Sequence, residues 1–289
     1  MMNRKKQLLY GIYILAVAVL FLYALFPSDT VATYVASRFN GVNSDINIDI
    51  DRVSLAFPLG LNLHDASVYY LNTEVLKTDH LKIVPDFLSL FRSKIVFFFK
   101  GSAFKGRLEG RGEFDKNRPG QQAVIMVKLS GMNVKDIVAV KHFLGRRISG
   151  LLKGNFTYRN SGKLDRELDA GFIISDGELE LLVPMLKQKS MPFTKVETNI
   201  SIKNKRFHIK RCTITSNQLD GSISGLINLK DPLDQSLLRL SGLIKPKPEF
   251  IEKLGKDLPI NLLPKNILSK SVVRVRVYGS LDQPRFVMN

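Results

Sequence analysis

The stretch KIVFFFKGSAFKGRLEGRGEF, residues 94–114, decides the fold class of this chain. Its first half is rich in β-branched and aromatic residues, and its second half alternates small or apolar residues with charged ones. A period of two is typical of β-strands, whose successive side chains point to opposite faces. Similar segments recur from INIDIDRVSL, which starts at residue 46, to SVVRVRVYG, which starts at residue 271. They include LDAGFIIS, residues 168–175, and GELELLV, residues 177–183, which are predicted as two separate strands. About a dozen closely spaced strands of this kind predict a mainly β protein with a mostly antiparallel sheet.

Two of these segments, IVFFF at residues 95–99 and AVIMV at residues 123–127, are apolar at every position. In a single sheet such a strand needs a cover on each side. The cover is expected to be a helix, another sheet layer or a lipid.

Few stretches predict helices. Residues 28–41, SDTVATYVASRFNG, combine a capping Ser28 or Asp29 with apolar residues four apart and a final Gly41. Residues 85–94, 134–144 and 248–255 each predict two or three helical turns.

A repeated phrase, Gly-x-[Leu/Ile]-x-Gly-x-x-x-apolar, occurs three times among the predicted strands. In an extended strand the two glycines and the aliphatic residue between them point to one face. Glycine there permits a bulge, strong coiling or the close approach of another body, and ordinary strand glycines are the alternative explanation. The residues concerned are Gly106, Leu108 and Gly110; Gly150, Leu152 and Gly154; and Gly221, Ile223 and Gly225.

The C-terminal phrase VRVRVYGSLDQPRF, residues 273–286, predicts the last strand of the sheet followed by a stop. Its valines take one face, while Arg274 and Arg276 take the other, as in an amphipathic edge strand. Two adjacent guanidinium groups could also hold a headgroup phosphate. Gly279 is expected to end the strand, residues 280–283 to turn, and Pro284 to withhold one backbone donor at the sheet edge.

The N-terminal residues 8–26, LLYGIYILAVAVLFLYALF, contain no charge over 19 positions. As a helix they would cover about 28 Å, enough for the hydrocarbon core of a bilayer. Three basic residues precede them, which predicts a cytoplasmic segment 1–7, a transmembrane anchor 8–26 and a domain 27–289 on the far side. A cleaved signal peptide is disfavoured because the apolar run is long and no small-x-small site follows it.

The chain carries a net charge of +17, which indicates an anionic partner. A protein whose mass lies outside the cytoplasm is not expected to bind nucleic acid. The four histidines show no metal-ligand spacing, Glu178 and Glu180 are explained by a solvated strand face, and Cys212 by a small residue on a strand. The sequence therefore predicts no catalytic residue, no cofactor and no metal, and the protein is not expected to be an enzyme.

The order of these segments resembles that of AsmA-like proteins. The resemblance is carried by FPLGLNLHDASVYY, by the block from LKTDHLKIVP to GRLEGRGEF, and by the ending with Gly279, Leu281, Asp282 and Pro284. Size and the single anchor are most similar to the type II secretion system protein N family of the Leptospira and Geobacter type. The resemblance implies an elongated, curved, AsmA-like sheet in the periplasm, held at the bacterial inner membrane, and it implies no catalytic residues.

Two functions follow from this resemblance. The first is an accessory or assembly component of the type II secretion system, which acts by contacts with other components of that apparatus. The second is a lipid-binding or lipid-transfer module whose apolar β-groove holds phospholipid or glycolipid. A sheet face that is free of charge and open along its length would favour the lipid function, and a closed core filled by side chains would favour the scaffold.

Overall fold

A computed structural model describes residues 4–40, 46–57, 60–70, 73–117, 122–162, 165–185, 188–257 and 272–288. The prediction of a mainly β, antiparallel protein is confirmed, because fourteen strands within these ranges form one open sheet and each strand pairs antiparallel with the next described strand in the chain. The strands are β1 (Ile46–Ala56), β2 (Gly60–Tyr70), β3 (Thr73–Pro85), β4 (Lys94–Ala103), β5 (Gly106–Asp115), β6 (Ala123–Asn133), β7 (Leu151–Asn160), β8 (Arg166–Met185), β9 (Gln188–Lys203), β10 (Arg206–Thr215), β11 (Leu219–Asn228), β12 (Leu237–Pro246), β13 (Val273–Ser280) and β14 (Pro284–Met288).

Within the described ranges, four α-helices accompany the sheet: α1 (Arg4–Ala24), α2 (Ser28–Asn40), α3 (Val138–Leu144) and α4 (Pro248–Asp257). The last three lie where short helices were expected. The expected helix over residues 85–94 is shorter and tighter, a 3₁₀-helix over Phe87–Phe91.

Helix α1 overlaps the predicted anchor at residues 8–26. Within the ranges that the structure describes, no helix combines the length and the apolar character that crossing a bilayer requires. The anchor therefore stays a prediction from the sequence.

Two strand predictions are wrong. LDAGFIIS and GELELLV, expected as separate strands, belong to the single 20-residue strand β8, which continues through a positive φ of 51° at Asp176. The segment VRVRV is not the last strand, because Pro284 begins β14, which pairs with β13 from Gly279 onward. Proline is tolerated there because the first residue of a strand does not need its N–H group for the ladder.

The sheet has two distinguishable ends. At the proximal end, the Oγ of Ser28 at the start of α2 donates to the carbonyl oxygen of Val53 at 2.5 Å, close to where β1 finishes. Because strands alternate in direction, the 3₁₀-helix Phe87–Phe91 between β3 and β4 lies at this same end. The distal end carries α3, α4 and the C-terminal end of β8.

Two cores pack against one face of the sheet. Helix α2 covers the first strands, where Ala32 packs with Ile50, Val53 and Leu63. At the distal end, residues 134–140 pack over the middle strands, and their cluster contains Met132. Met132 and Val53 are almost fully buried.

Candidate functional site

The candidate site is the sheet face on which both cores lie, called here the apolar face. The strand register aligns one residue of every strand in a single row across it. The fourteen residues of this row are Leu55, Leu61, Ile83, Phe99, Gly110, Val127, Phe156, Ala170, Ile200, Ile209, Gly225, Leu240, Val277 and Phe286. Every one of them is apolar or glycine, so the apolar face crosses the whole described sheet.

The neighbouring row on the same face, from Val53 to Val275, also holds no charged residue among the described positions. Its polar members are Thr198 and Cys212, which are paired across β9 and β10. The Oγ1 of Thr198 donates to the Sγ of Cys212 at 3.1 Å, so the hydroxyl is satisfied without water. The cysteine is half-buried, in agreement with its predicted place as a small residue on a strand.

The apolar face is covered over only part of its length. The two core clusters involve α2 with the first strands and residues 134–140 with strands up to β8. Neither cluster, as the described residues define it, reaches β9–β14. There the apolar side chains of Ile209, Ile227 and Leu240 are half-buried, whereas those of Leu238, Val273 and Val277 are buried. Ile209, Ile227 and Leu240 therefore belong to a partly exposed apolar surface that neither core cluster includes.

The opposite face, called the polar face, carries charged side chains. Asp169 accepts hydrogen bonds from Lys210 at 2.9 Å and from Arg159 at 3.1 Å. The Lys210 ammonium is the main reason that the pKa of Asp169 lies below its ordinary value, and Arg159 adds to the effect. Because both ions of each pair remain hydrated, these contacts hold the polar face in water rather than stabilise a core.

The glycines of the repeated phrase lie under bulky neighbours on the apolar face. A Cβ at Gly110 would meet the Phe99 ring at 2.2 Å, and one at Gly154 would meet Phe172 at 2.6 Å. A phenyl ring that lies over a neighbouring strand glycine fills the space that a side chain would otherwise take. Leu108 and Leu152, between the glycines, belong to the distal core cluster.

The remaining members of the repeat differ in detail. Gly106 lies against the backbone of Met132, and Gly221 against Ile214. Gly150 and Gly225 have φ values of 132° and 144°, a region that disfavours residues with a Cβ.

The C-terminal motif forms the junction of β13 and β14. Gly279 has a φ of 104°. The backbone N–H groups of Leu281 and Asp282 donate to the carbonyl oxygens of Ser236 and Asp234, both at 2.9 Å. These bonds hold the β13–β14 junction against the start of β12. The C-terminal motif therefore has a structural role at this position.

Arg274 and Arg276 lie on the polar face of β13 and are exposed. Their cross-strand neighbours on β12 are Leu243 and Ser241. The two guanidinium groups are therefore available to an anion on the polar face, away from the apolar face.

Two acidic residues considered in the sequence have structural partners. The Oε2 atom of Glu178 accepts from the Ser190 hydroxyl at 3.0 Å. The side chain of Glu180 pairs with Arg147 at 3.3 Å, which lowers the pKa of Glu180 and raises that of Arg147. The Glu180–Arg147 pair ties the segment after α3 to β8, and the Glu178–Ser190 bond ties β8 to β9.

The histidines show what the sequence alone did not indicate. His64 and His80 are directly paired across β2 and β3, and the Oγ of Ser54 lies 3.0 Å from the Nε2 of His64. Sixteen residues separate the two histidines, so no short motif signals the pair. Within the described part of the chain, no group of three or more candidate ligands could hold a metal ion.

No protein family model, no curated protein and no solved structure matches this chain. The resemblance to AsmA-like proteins therefore stays a prediction from the sequence motifs. The features of the molecule that bear on its function are the apolar face, whose two described rows hold no charged residue, and the charged face behind it.

Proposed function

We propose that this chain is a lipid-handling protein whose apolar face binds the acyl chains of a phospholipid or glycolipid. The observation that carries the proposal is the fourteen-residue apolar row, which continues beyond the elements that cover it. Apolar surface of this extent is costly in water and marks a place where a ligand or a partner binds. An acyl chain can replace that water along the whole row because it needs no hydrogen bonds.

The energetics favour an apolar ligand over a polar one. Burial of a methylene group contributes about 0.8 kcal/mol, so even one-sided contact with ten methylenes contributes several kcal/mol. A charged or strongly hydrated ligand would lose its hydration without receiving hydrogen bonds from the rows described above. The class of ligand is therefore lipid, and a headgroup would remain in water beyond the edge of the face.

The proposal includes the membrane anchor at residues 8–26, with residues 27–289 forming an elongated, curved, AsmA-like domain in the periplasm. Its support is the charge-free run of 19 residues and the basic residues before it. In this arrangement the apolar face would carry lipid away from the membrane that holds the chain. Extraction with alkaline carbonate tests the anchor separately, since a protein released by carbonate would have none.

Photocrosslinking at two adjacent residues of β9 tests the lipid proposal. Ile200 belongs to the apolar row, whereas Asn199 is exposed on the polar face. With p-benzoylphenylalanine at either position of the full chain in cells, we expect lipid adducts at Ile200 and none at Asn199. Equal labelling at both positions, or a protein adduct at Ile200 in place of lipid, would overturn the proposal.

The accessory role in type II secretion stays a prediction of the resemblance. Crosslinking from the polar face would test it directly. Failure to recover any component of a secretion apparatus would count against that role and would leave the lipid proposal intact.

A further inference from the structure

The 3₁₀-helix Phe87–Phe91 at the proximal end buries its polar side chain and exposes its apolar side chains. Its single polar side chain, that of Ser89, is completely buried, whereas Phe91 is 91% exposed and Leu88 is 68% exposed. Phe87 and Leu90 are also exposed. An element that faces water normally shows the opposite arrangement, so a buried serine beneath four exposed apolar residues needs a specific explanation.

Hydrogen bonds hold this arrangement in place from below. The Ser89 hydroxyl donates to the carbonyl oxygen of Asp86 at 2.5 Å and accepts from the backbone N–H of Val96 at 2.9 Å. The carboxylate of Asp86 accepts from the N–H of Leu88 at 3.1 Å, which caps the helix. The apolar side chains are therefore presented by a fixed turn, and their exposure is built into the fold.

A second exposed aromatic residue and several cations lie at the same end. Phe57, after β1, is 77% exposed, and its carbonyl oxygen accepts from the Nζ of Lys82 at 3.1 Å. The Nζ of Lys116 donates to the carbonyl oxygen of Leu90. Arg92 and Lys94, which follow the 3₁₀-helix, are both exposed. Phe57, Phe87, Leu88, Leu90 and Phe91, called here the apolar tip, are thus bordered by basic side chains.

We propose that the apolar tip inserts into the interfacial region of a bilayer that contains anionic lipid. Exposed aromatic and aliphatic side chains bordered by Lys and Arg are the combination that binds at the headgroup–acyl boundary, since the rings enter the acyl region while the cations meet anionic headgroups. The junction of α1 and α2 lies at this end too, where Phe26 packs against the first core cluster. The tip therefore lies at the end of the sheet to which the apolar N-terminal segment leads.

Docking of the tip would bring bilayer lipid to the start of the apolar face. Phe97 and Phe114, whose rings stack at a centroid distance of 5.2 Å, stand on β4 and β5 at the proximal end of that face. This consequence rests on the proposed function, whereas the docking itself rests only on the tip and its basic border.

The chain contains no tryptophan, so the fluorescence of a single introduced tryptophan reports on the surroundings of that position alone. Phe91→Trp puts it in the tip, and Phe98→Trp puts it on the polar face of β4, where Phe98 is 50% exposed. Each full-length variant is incorporated into vesicles of phosphatidylcholine and phosphatidylglycerol with bromine atoms in the upper acyl chain. We expect Phe91→Trp to emit at shorter wavelength than Phe98→Trp and to lose about half of its emission by quenching, with little quenching of Phe98→Trp.

Charge reversal tests the basic border. Adding Arg92→Glu and Lys94→Glu to Phe91→Trp is expected to lower the quenching on vesicles with phosphatidylglycerol and to change it little on pure phosphatidylcholine. Far-UV circular dichroism checks that each variant keeps its β structure.

Three results would overturn the docking. The first is equal quenching at positions 91 and 98, and the second is failure of the folded chain to float with the vesicles. The third is a blue-shifted but unquenched Trp at position 91, which would indicate a protein contact in place of lipid. None of these results bears on lipid adducts at Ile200, so failure of the docking is distinguishable from failure of the proposed function.

Discussion

Replacement of Leu240 by aspartate should lower the amount of lipid that the protein retains more than replacement by the isosteric asparagine does. Leu240 lies on β12 in the apolar row, between Gly225 and Val277, in the part of the face that the core clusters do not reach. Leu240→Asn and Leu240→Asp are close in shape to leucine and differ from each other only by the charge. Ser241→Asp introduces the same charge one residue away, where the side chain is exposed on the polar face.

The expected magnitude follows from the methylenes that a hydrated carboxylate displaces. A hydrated carboxylate at position 240 would prevent about four methylene groups of the lipid acyl chain from contacting the sheet. One-sided contact contributes about 0.4 kcal/mol of binding free energy for each methylene, half of the value for full burial. The loss is therefore about 1.5 kcal/mol, or roughly tenfold in affinity. Loss of the leucine side chain itself should lower the free energy of unfolding by about 2 kcal/mol in both Leu240 variants.

The assay measures lipid per mole of purified full-length protein by extraction and mass spectrometry, with urea unfolding in parallel. We expect Leu240→Asp to retain about a tenth of the lipid held by Ser241→Asp, with Leu240→Asn in between. If folded Leu240→Asp held as much lipid as Ser241→Asp, the apolar face would not be the binding surface. If Leu240→Asn fell as low as Leu240→Asp, loss of packing rather than the charge would be the cause.

Three further predictions concern the sheet itself. Gly225→Ala should lower the free energy of unfolding by roughly 2–3 kcal/mol in urea titrations, because φ is 144° and the new Cβ would meet a backbone oxygen at 2.2 Å. In the control variant Gly171→Ala, the new Cβ meets only a side-chain oxygen at 2.9 Å, so the free energy of unfolding should fall by less than about 1 kcal/mol. The pKa of Asp169 in the folded state lies below its ordinary value, mainly because of the hydrogen bond from Lys210. The stabilisation from Asp169 is therefore present at neutral pH and is lost as the pH falls through the folded-state pKa. The fall in Tm on acidification from neutral pH should be smaller in Asp169→Asn than in the wild-type protein, and an unchanged fall would contradict this. Deletion of residues 279–289 removes β14 and uncovers the edge of β13, so limited proteolysis and light scattering should detect cleavage and aggregation; a stable, soluble but inactive truncation would assign this segment a direct role in function.

The sequence predicts well which segments are strands, but it predicts poorly that their apolar sides join into one continuous face. Alternation is local, so segments such as VRVRV indicate a strand and its two faces without knowledge of the neighbours. Continuity of the apolar face depends on register. The register shift between Ile209 and Arg211 keeps Cys212 on the apolar face, although strict alternation from Ile209 would move it to the other face.

The apolar tip shows the second limit. Residues 85–94 were predicted to be helical, yet the exposure of Phe91 depends on the bonds of Ser89 to Asp86 and Val96. From hydrophobicity alone, the phenylalanines and leucines of FLSLF are expected to be buried. The pattern contains no information on the hydrogen bond between Ser89 and the backbone of Val96 on β4, which buries the serine and leaves the apolar side chains exposed. The short β14 was missed for a related reason, since Pro284 reads as a stop unless the edge beside it is known.

The strictly sequential strand order has a consequence for how such a chain is made. Each strand pairs with the strand synthesised just before it, so no strand waits for a partner that is distant in the strand order, and the longest connection, between β12 and β13, spans 26 residues. The sheet can therefore form strand by strand from the N-terminus while the rest of the chain is still being synthesised. The same order permits growth by duplication: one inserted hairpin would lengthen the sheet by about 10 Å and leave all other pairings unchanged.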